Sequence, residues 1–447
     1  MTLRDSVKAA LFVALAAALP AAALEGRKTT ARDLSLDVIR FELPNGMIVL
    51  LAPDKTGSSV LVSTAFRAGT LYEPPGTSGM AHLVEHIMAT GPTPDTDYAA
   101  LLERRRARFF NAFTDFETME FQAIVPADEL PAALWVSADR LGAIPPLVDD
   151  KVVERNRKIV LQERAIRDVD APYGIPREKL YLKLFACPHP LHGSVIGLVD
   201  ELSSVTGADV RKFASTLLVP ANGILTIVGR FDPDQARHWI EETLGRLPGG
   251  QRVPMPQFPP LQQSLVDTAE EIVSREPAVT LAWRFPVPHD EAVTLALGAQ
   301  LLSFMTDGAW GMRLGADLLE NEAESTFMVS LVVPYDEPAS AVQSDAEGFV
   351  RFLTRTVMPL ELYLAANVQL DRIALFDLDT LAGRDQRLVR LERLSRRVSV
   401  AEDAAQHWRI DPSAVRDLSR SILESPKVVL HARPTRPRPA RVIKRHR

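Results

Sequence analysis

Two kinds of apolar spacing alternate along the first half of the chain. Runs of alternating and β-branched apolar residues predict strands at 47–51, 59–66 and 120–125. Apolar residues at helical spacing predict helices at 98–108 and 130–141. Strands and helices that follow one another in this way indicate a β-sheet with helices packed against it.

The second half of the chain begins like the first. Its apolar pattern predicts a strand at 278–285, followed by a helix at 290–302. The tetrapeptide Thr-Ala-Phe-Arg at 64–67 has a faint counterpart in Leu-Ala-Trp-Arg at 281–284, and each precedes a long helix. We therefore predict an α+β fold with a diverged internal duplication: two homologous domains, each a mixed or antiparallel β-sheet covered by helices.

The stretch 247–262 is rich in Pro and Gly and interrupts the periodic patterns. It divides the chain into two halves of similar length. The predicted boundaries are an N-terminal domain at 28–248, a linker at 249–262 and a C-terminal domain at 263–432.

The two ends of the chain have compositions of their own. In residues 1–23, Arg4 and Lys8 precede an apolar stretch too short to span a bilayer, and Ala21–Ala23 supplies small residues for cleavage. This pattern predicts a signal peptide and a secreted, periplasmic protein. Residues 433–447 are basic and interspersed with prolines, which predicts a disordered tail.

Composition narrows the classes of function. The chain has 447 residues, a net charge of −6 and one cysteine, Cys187. A single thiol cannot form an internal disulfide, so packed cores must stabilise the domains. No basic surface is indicated outside the tail, and no later stretch is apolar enough for a membrane helix. We therefore expect neither a nucleic-acid partner nor a membrane span.

One short motif carries recognisable chemistry. His82, Glu85 and His86 occur in the order H-x-x-E-H on a predicted helix. At about 100° per residue, the two imidazoles lie one turn apart and can bind one metal ion, while Glu85 points beside them towards the position of a water molecule. This order is a signature of inverted zinc peptidases.

The limits of the helix that carries this motif are also predicted. Thr77 and Ser78 are expected to supply the N-cap oxygens. Gly91 and Pro92 are expected to end the helix.

A zinc ion held by two imidazoles needs a third protein ligand. The predicted helix over 149–167 has an apolar stripe formed by Val152, Val153, Ile159, Val160 and Ile166. Glu163 falls within that stripe, where a lone carboxylate is costly unless it is paired. A divalent cation is an effective partner, and an ion pair with an arginine is the alternative.

Helical phase shows which polar residues of this predicted helix share a face with Glu163. Asn156 lies only about 20° away in phase and shares its face, whereas Glu154 lies about 180° away. His189 and His192 are further candidates in this half, in a Pro-rich loop that fits either an ordinary turn or metal binding.

Together these segments resemble the insulinase/pitrilysin family of zinc metallopeptidases, in the half-size branch that includes the mitochondrial processing peptidase. Gly79–Thr90 resembles the zinc helix of the family, and Asn-Ala-Phe-Thr at 111–114 resembles its NA-x-T segment. Glu163 stands 77 residues after His86, which is the family's interval to its third zinc ligand. Pro-Ala-Asn at 220–222 comes next, in the order in which these segments occur in the family.

The resemblance implies the roles of the site residues. His82, His86 and Glu163 would bind one Zn²⁺ per chain, and Glu85 would act as the general base. The expected activity is a zinc-dependent endopeptidase acting on extended peptides or unfolded segments. The peptide would lie as an added strand along the edge that carries Asn111 and Ala112.

Two departures from the family pattern bear on activity and partners. Asn156 stands where family members often have a second Glu, and it can hydrogen-bond near the ligands but cannot accept a proton. In the second domain, Leu319 and either Thr326 or Phe327 stand where the family has an Arg and a Tyr that meet the substrate. The resemblance therefore implies the zinc-bearing subunit of a heterodimer, rather than a homodimer, whose homologous partner supplies the Arg and the Tyr.

Two alternatives to a peptidase stay open at this point. The chain could be a catalytically weak or inactive scaffold subunit of a processing-peptidase-like complex. It could also bind peptides without cleaving them.

Overall fold

The computed structural model of the chain describes the following residues, together with isolated positions between 344 and 424: 36–91, 97–143, 145–169, 174–185, 189, 191–256, 268–274, 278–288, 313–319, 324–334, 375–394 and 427–434. Among them, no helix combines the length and the apolar character needed to cross a membrane. The predicted signal peptide, residues 435–447 of the predicted basic tail and the predicted helix at 290–302 lie outside the described residues, whereas Arg433 and Pro434 of that tail belong to a strand.

The first half of the chain forms a six-stranded mixed sheet, sheet 1. Its strands are β1 Ile39–Glu42, β2 Ile48–Pro53, β3 Ser59–Phe66, β4 Phe109–Thr114, β5 Met119–Pro126 and β6 Gly223–Gly229. They are arranged in the order β1-β2-β6-β3-β5-β4. The last strand in sequence, β6, lies between β2 and β3, parallel to the former and antiparallel to the latter. The other pairings are antiparallel.

Helices account for most of the rest of this half. They are α1 Met80–Thr90, α2 Tyr98–Arg104, α3 Leu130–Ala143, α4 Asp150–Arg164, α5 Gly174–Leu184, α6 Val199–Ser204, α7 Gly207–Leu217 and α8 Pro233–Glu242. A π-helical turn, Ala165–Val169, continues directly from α4. The predicted helix at 98–108 ends four residues early, at Arg104, whereas the strand predicted at 59–66 has the predicted limits.

The core of this half positions α1. Alternate residues of the central strands face the helices, as the two-residue repeat of a strand requires. On α1, Leu83, Val84 and Ile87 are fully buried in this core. Each such side chain stabilises the fold by about 1.5–3 kcal/mol. The apolar face of α1 therefore fixes the direction of its His and Glu side chains.

The second half contains a five-stranded sheet, sheet 2. Its strands are β7 Thr268–Ser274, β8 Ala278–Pro288, β9 Arg313–Leu319, β10 Glu324–Pro334 and β11 Lys427–Pro434. They are arranged in the order β7-β11-β8-β10-β9. A further helix, α9, spans Leu381–Arg393.

The two sheets share one strand order. Once the edge strand β1 is set aside, the last strand in sequence lies between the first two in each sheet, parallel to one and antiparallel to the other: β2-β6-β3 in sheet 1 and β7-β11-β8 in sheet 2. The remaining two strands follow in the same order in both. This agreement confirms the predicted α+β fold with two similar domains.

Each of the two compact units is built from several separate segments of the chain. Among the described residues, one unit comprises those of 39–283 with those of 330–346 and 426–447. The other comprises those of 36–38, 284–329 and 347–425. In the predicted linker, the Gly249 carbonyl accepts a hydrogen bond from Ala221 N at 2.8 Å. The domain boundaries at 28–248, 249–262 and 263–432 stay predictions.

Candidate metal centre

Helix α1 begins without the predicted caps. Gly79 occupies the N-cap position with a φ of 90°, and its missing side chain supplies no cap hydrogen bond. The Thr77 hydroxyl donates to the Pro74 carbonyl at 2.7 Å instead of capping the helix. The prediction that Thr77 and Ser78 supply the N-cap oxygens was therefore wrong.

Two carboxylates from elsewhere in the chain take the place of that cap. Glu73 accepts hydrogen bonds from the backbone N–H groups of Gly79 at 3.1 Å and Ala81 at 2.7 Å. Glu201 accepts one from the backbone N–H of Ser78 at 3.0 Å. Oxygen acceptors at this end of a helix satisfy its free N–H groups. Burial raises the pKa of Glu73 to about 8, so this cap does not depend on a negative charge at Glu73.

The other end of α1 is bound as well. Gly91 ends the helix as predicted, and its N–H donates to the Ile87 carbonyl at 3.0 Å. The buried guanidinium of Arg140 donates to the Met88 carbonyl at 2.9 Å. A cation at a helix C-terminus complements the dipole, so each end of α1 is held by ionisable side chains from other parts of the chain.

Three potential ligand atoms converge between α1 and α4. The Nε2 atoms of His82 and His86 are 3.3 Å apart. The Oε2 atom of Glu163 lies 3.2 Å from the Nε2 of His86 and 3.6 Å from that of His82. Zinc–ligand bonds of about 2.0–2.2 Å in tetrahedral geometry separate the ligand atoms by about 3.4 Å, so the three residues fit a zinc ion. In the described part of the chain, no other group of His, Cys, Asp or Glu is arranged to hold a metal.

The protonation states suit a metal as well. Burial, followed by the neighbouring His86, lowers the pKa of His82 to about 4, and burial also lowers the pKa of His86. Both imidazoles are therefore neutral near pH 7, which is the form that binds metals. For Glu163, burial acts to raise the pKa, but the hydrogen bond from Arg167 and the two imidazoles outweigh it and lower the pKa.

Glu85 is buried beside this group, with 7% of the residue exposed. Burial raises its pKa to about 7, the Thr114 hydroxyl opposes that rise, and the Glu163 carboxylate adds to it. A carboxyl group with a pKa near 7 can both accept and return a proton at neutral pH.

The environment of Glu163 differs from the predicted one. The apolar stripe was expected to bury it, but Ile159 and Ile166 are 45% and 67% exposed, while Val160 is fully buried. Glu163 lies at the boundary, with 27% of its side chain exposed. The face of α4 next to Glu163 is therefore partly open to solvent.

The two carboxylate oxygens of Glu163 face different groups. Its Oε1 accepts a hydrogen bond from Arg167 Nη1 at 2.7 Å, while its Oε2 faces the imidazoles. Arg167 was not among the residues predicted from the sequence. The four-residue spacing between a Glu and a following Arg on a helix was the signal that could have identified it.

Asn156 and Glu154, which helical phase assigns to opposite faces of the helix, lie on different sides of α4. Asn156 is buried, and its amide donates to the Val152 carbonyl at 2.9 Å. Among the described residues, no hydrogen bond joins Asn156 to the three candidate ligands. Glu154 is exposed and forms ion pairs with Arg157 and Lys158.

Asn111 and Ala112 lie on β4, the last strand at one edge of sheet 1. They pair with Gln122 and Phe121 of β5. Asn111 is exposed and Ala112 is half-buried. No further strand of the described chain pairs with the outer side of β4.

Among the described residues, His189 and His192 do not belong to the group that could hold a metal. His189 Nδ1 accepts from the Leu191 N–H at 3.0 Å, and His192 Nδ1 lies 2.6 Å from the Phe185 carbonyl, so these histidines form a turn. Leu319 is the last residue of β9, and Thr326 and Phe327 lie on the neighbouring β10.

Two family models match the chain in sequence and together cover more than half of it. Residues 48–184 match the model described as insulinase (peptidase family M16), and residues 204–330 match the peptidase M16 inactive domain. The chain belongs to the insulinase family. The first match contains both histidines, Glu85 and Glu163, and the predicted family resemblance is confirmed.

Individual insulinase-family relatives agree with this assignment. The zinc protease PqqE of Helicobacter pylori is 26% identical over 272 residues, which is 58% of this chain and 60% of that protein. The chain thus spans less than two thirds of the length of this curated relative. The relative is called a zinc protease, in agreement with a group here that could bind a metal.

Solved structures of the family share the fold. A protease from Helicobacter pylori superimposes with a TM-score of 0.78 at 17% identity, covering 90% of this chain and all of that one. The periplasmic protease PqqL of Escherichia coli superimposes with a TM-score of 0.70 at 18% identity, covering 89% of this chain but 48% of that one. At these identities the likeness shows the fold.

Proposed function

We propose that this protein is a zinc-dependent endopeptidase that hydrolyses extended peptides or unfolded segments, with one Zn²⁺ held by His82, His86 and Glu163. The observation that carries the proposal is the convergence of three ligand atoms within 3.2–3.6 Å of one another, from two separate helices. Membership of a peptidase family supports the same conclusion.

The chemistry is divided between the metal and Glu85. Bound zinc supplies Lewis acidity, which activates water and stabilises negative charge on the scissile carbonyl oxygen. Glu85 accepts the proton of the attacking water and then donates it to the leaving amine. Its burial and its pKa of about 7 suit both steps.

The edge of sheet 1 supports an extended substrate. An unpaired strand edge can bind a peptide as an additional strand through main-chain hydrogen bonds. Asn111 and Ala112 lie on that edge, and β4 also packs against α1, which carries the two histidines. A peptide bound along β4 would have to be extended, so folded domains would be poor substrates.

A second subunit and an extracytoplasmic location belong to the proposal. This chain corresponds to 48% of PqqL, a single chain of about twice the length. A separate homologous subunit would therefore supply the other half, with the Arg and Tyr that Leu319, Thr326 and Phe327 do not provide. PqqL is periplasmic, and with the predicted signal peptide at 1–23 we propose the periplasm for this chain.

A scaffold subunit is the second candidate, favoured by Asn156 at the position of the second Glu and by the match to an inactive domain. The test measures zinc per chain and cleavage of a quenched fluorescent peptide, with the chain alone and co-purified with a homologous subunit. We expect one zinc and cleavage that Glu85→Gln abolishes. Zinc without cleavage in either preparation would favour the scaffold.

A further inference from the structure

The two carboxylate oxygens of Glu163 have different partners. Oε2 lies 3.2 Å from His86 Nε2 and 3.6 Å from His82 Nε2. Oε1 is hydrogen-bonded to Arg167 Nη1 at 2.7 Å. Among the described ion pairs, Arg167 is the one Arg or Lys that pairs with a member of the candidate metal group.

The backbone of Arg167 is itself held in place. Arg167 lies in the π-helical turn Ala165–Val169, which continues α4 beyond Glu163. The buried Arg164 forms ion pairs with Asp168 of this turn, at 3.5 Å, and with Glu178 of α5. A π-helical turn is rare and is frequently found at functional sites. The buried ion pairs fix this turn, so the guanidinium of Arg167 starts from a defined position.

We propose that Arg167 is a positioning residue that makes Glu163 a one-oxygen metal ligand. The inference rests on the proposed zinc site and adds a determinant of its affinity and its coordination number. Arg167 restrains the Glu163 side chain before the metal binds, so less conformational freedom is lost on binding. By occupying Oε1, it also prevents two-oxygen binding and keeps a coordination position open for water, as catalytic zinc sites require.

Charge repulsion acts in the opposite direction. A guanidinium near a dication disfavours metal binding, and its removal alone would tighten the site. However, 60% of the Arg167 side chain is exposed, so solvent and salt screen its charge, whereas the hydrogen bond to Oε1 is short and direct. We therefore expect the positioning effect to exceed the repulsion.

The test compares Arg167→Leu, Arg167→Lys and the control Arg246→Leu in the full chain. Arg246 pairs with Glu242 at the same four-residue spacing and with similar exposure, at the end of α8, which carries no candidate ligand. The zinc dissociation constant is measured by competition with a chelator at fixed pH. We expect Arg167→Leu to weaken zinc binding by about 10–100-fold, Arg167→Lys to weaken it less, and Arg246→Leu to leave it unchanged.

Substitution of zinc by Co²⁺ gives a second measurement. If Oε1 becomes a ligand in Arg167→Leu, the coordination number rises and the visible Co²⁺ absorption weakens relative to wild type. Zinc affinity in Arg167→Leu equal to or tighter than wild type, with an unchanged Co²⁺ spectrum, overturns the inference alone. A wild-type chain that binds no zinc overturns the proposed function and this inference together. Circular dichroism of each variant verifies that it is folded.

Discussion

At the scale of single residues, Glu85 and Glu163 are two carboxyl groups near the same pair of imidazoles in different surroundings. Glu85 is 7% exposed, and burial raises its pKa to about 7. Glu163 is partly exposed, and Arg167 with the histidines lowers its pKa. One group is therefore able to exchange a proton near pH 7, while the other stays charged, as a metal ligand must.

Removal of the Glu163 carboxylate tests the ligand set. Glu163→Ala deletes one of three ligands, and we expect zinc affinity to fall by more than about 100-fold, beyond the usual effect of a residue that only supports a ligand. Glu154→Ala on the exposed side of the same helix is the matched control and should bind zinc like wild type. Chelator competition measures both. Equal affinities in the two variants would contradict the assignment of Glu163.

The raised pKa of Glu85 predicts how the stability of the zinc-free protein depends on pH. Because the folded-state pKa of about 7 lies above the ordinary value of 4.5, folding favours the protonated carboxyl group. The contribution of the protonated Glu85 carboxyl group to the free energy of unfolding is complete below about pH 4.5. It is lost as the pH rises towards 7. The loss amounts to at most about 3 kcal/mol in the free energy of unfolding.

Glu85→Gln should remove this contribution. We expect the zinc-free variant to lose less stability than zinc-free wild type between about pH 5 and pH 7.5, measured by urea unfolding. His82 contributes with the opposite sign, since its pKa is lowered and its protonation destabilises the folded state as the pH falls, and this contribution is shared by both proteins. Parallel pH profiles would mean that Glu85 has an ordinary pKa.

At the scale of elements, the apolar pattern predicts α1 and the strands around it, but not what fixes the ends of α1. Burial of Leu83, Val84 and Ile87 follows from helical spacing alone. Of the two glutamates that replace the N-cap, Glu201 could not be predicted in this way, because it is 123 residues from Ser78 in sequence. Contacts of this range depend on the tertiary fold, which a single sequence does not specify locally.

The same limit applies to the candidate site. His82, Glu85 and His86 are recognisable from their spacing on one helix, and helical phase identifies Glu163. Whether Ile159 and Ile166 are buried depends on what packs against this part of the chain. The apolar pattern predicted that both are buried, but both are exposed. A stripe of apolar residues does not by itself distinguish a buried face from a solvent-exposed one.

Gly79 tests the attachment of α1. Its φ is +90°, and a Cβ atom there would lie 2.5 Å from Gly197 Cα. Gly76 has a similar φ of +82°, but a Cβ atom there would meet nothing within 4 Å, so Gly76 isolates the cost of backbone strain. We expect Gly76→Ala to cost about 1 kcal/mol and Gly79→Ala clearly more, with weaker zinc binding, since α1 must move. Equal costs in urea unfolding would exclude crowding at Gly79.

At the scale of the whole molecule, sheet 1 depends on a strand from far along the chain. β6 lies between β2 and β3, although it falls in the segment that matches the inactive-domain model, 204–330. The region 48–184, which contains His82, His86 and Glu163, therefore does not contain the complete sheet. We expect the metal site and β6 to unfold as one cooperative structure.

A substitution in β6 tests this dependence. Ile227 is fully buried, and Ile227→Ala should lower the free energy of unfolding by about 2–5 kcal/mol. Val199→Ala, at a residue that is 46% exposed, should change it by less than about 0.5 kcal/mol. We expect zinc release and the loss of circular dichroism to shift together in Ile227→Ala. Zinc release that keeps the wild-type midpoint would show that the site is independent of β6.

The position of β6 also determines when the metal site can assemble as the chain emerges. All three candidate ligands precede Gly223–Gly229 in the sequence, yet until that segment is in place, β2 and β3 have no strand to join them. An incomplete chain would carry the full set of candidate ligands without the framework that brings them together. Late insertion of one strand thus delays formation of the proposed zinc site until the first domain is complete.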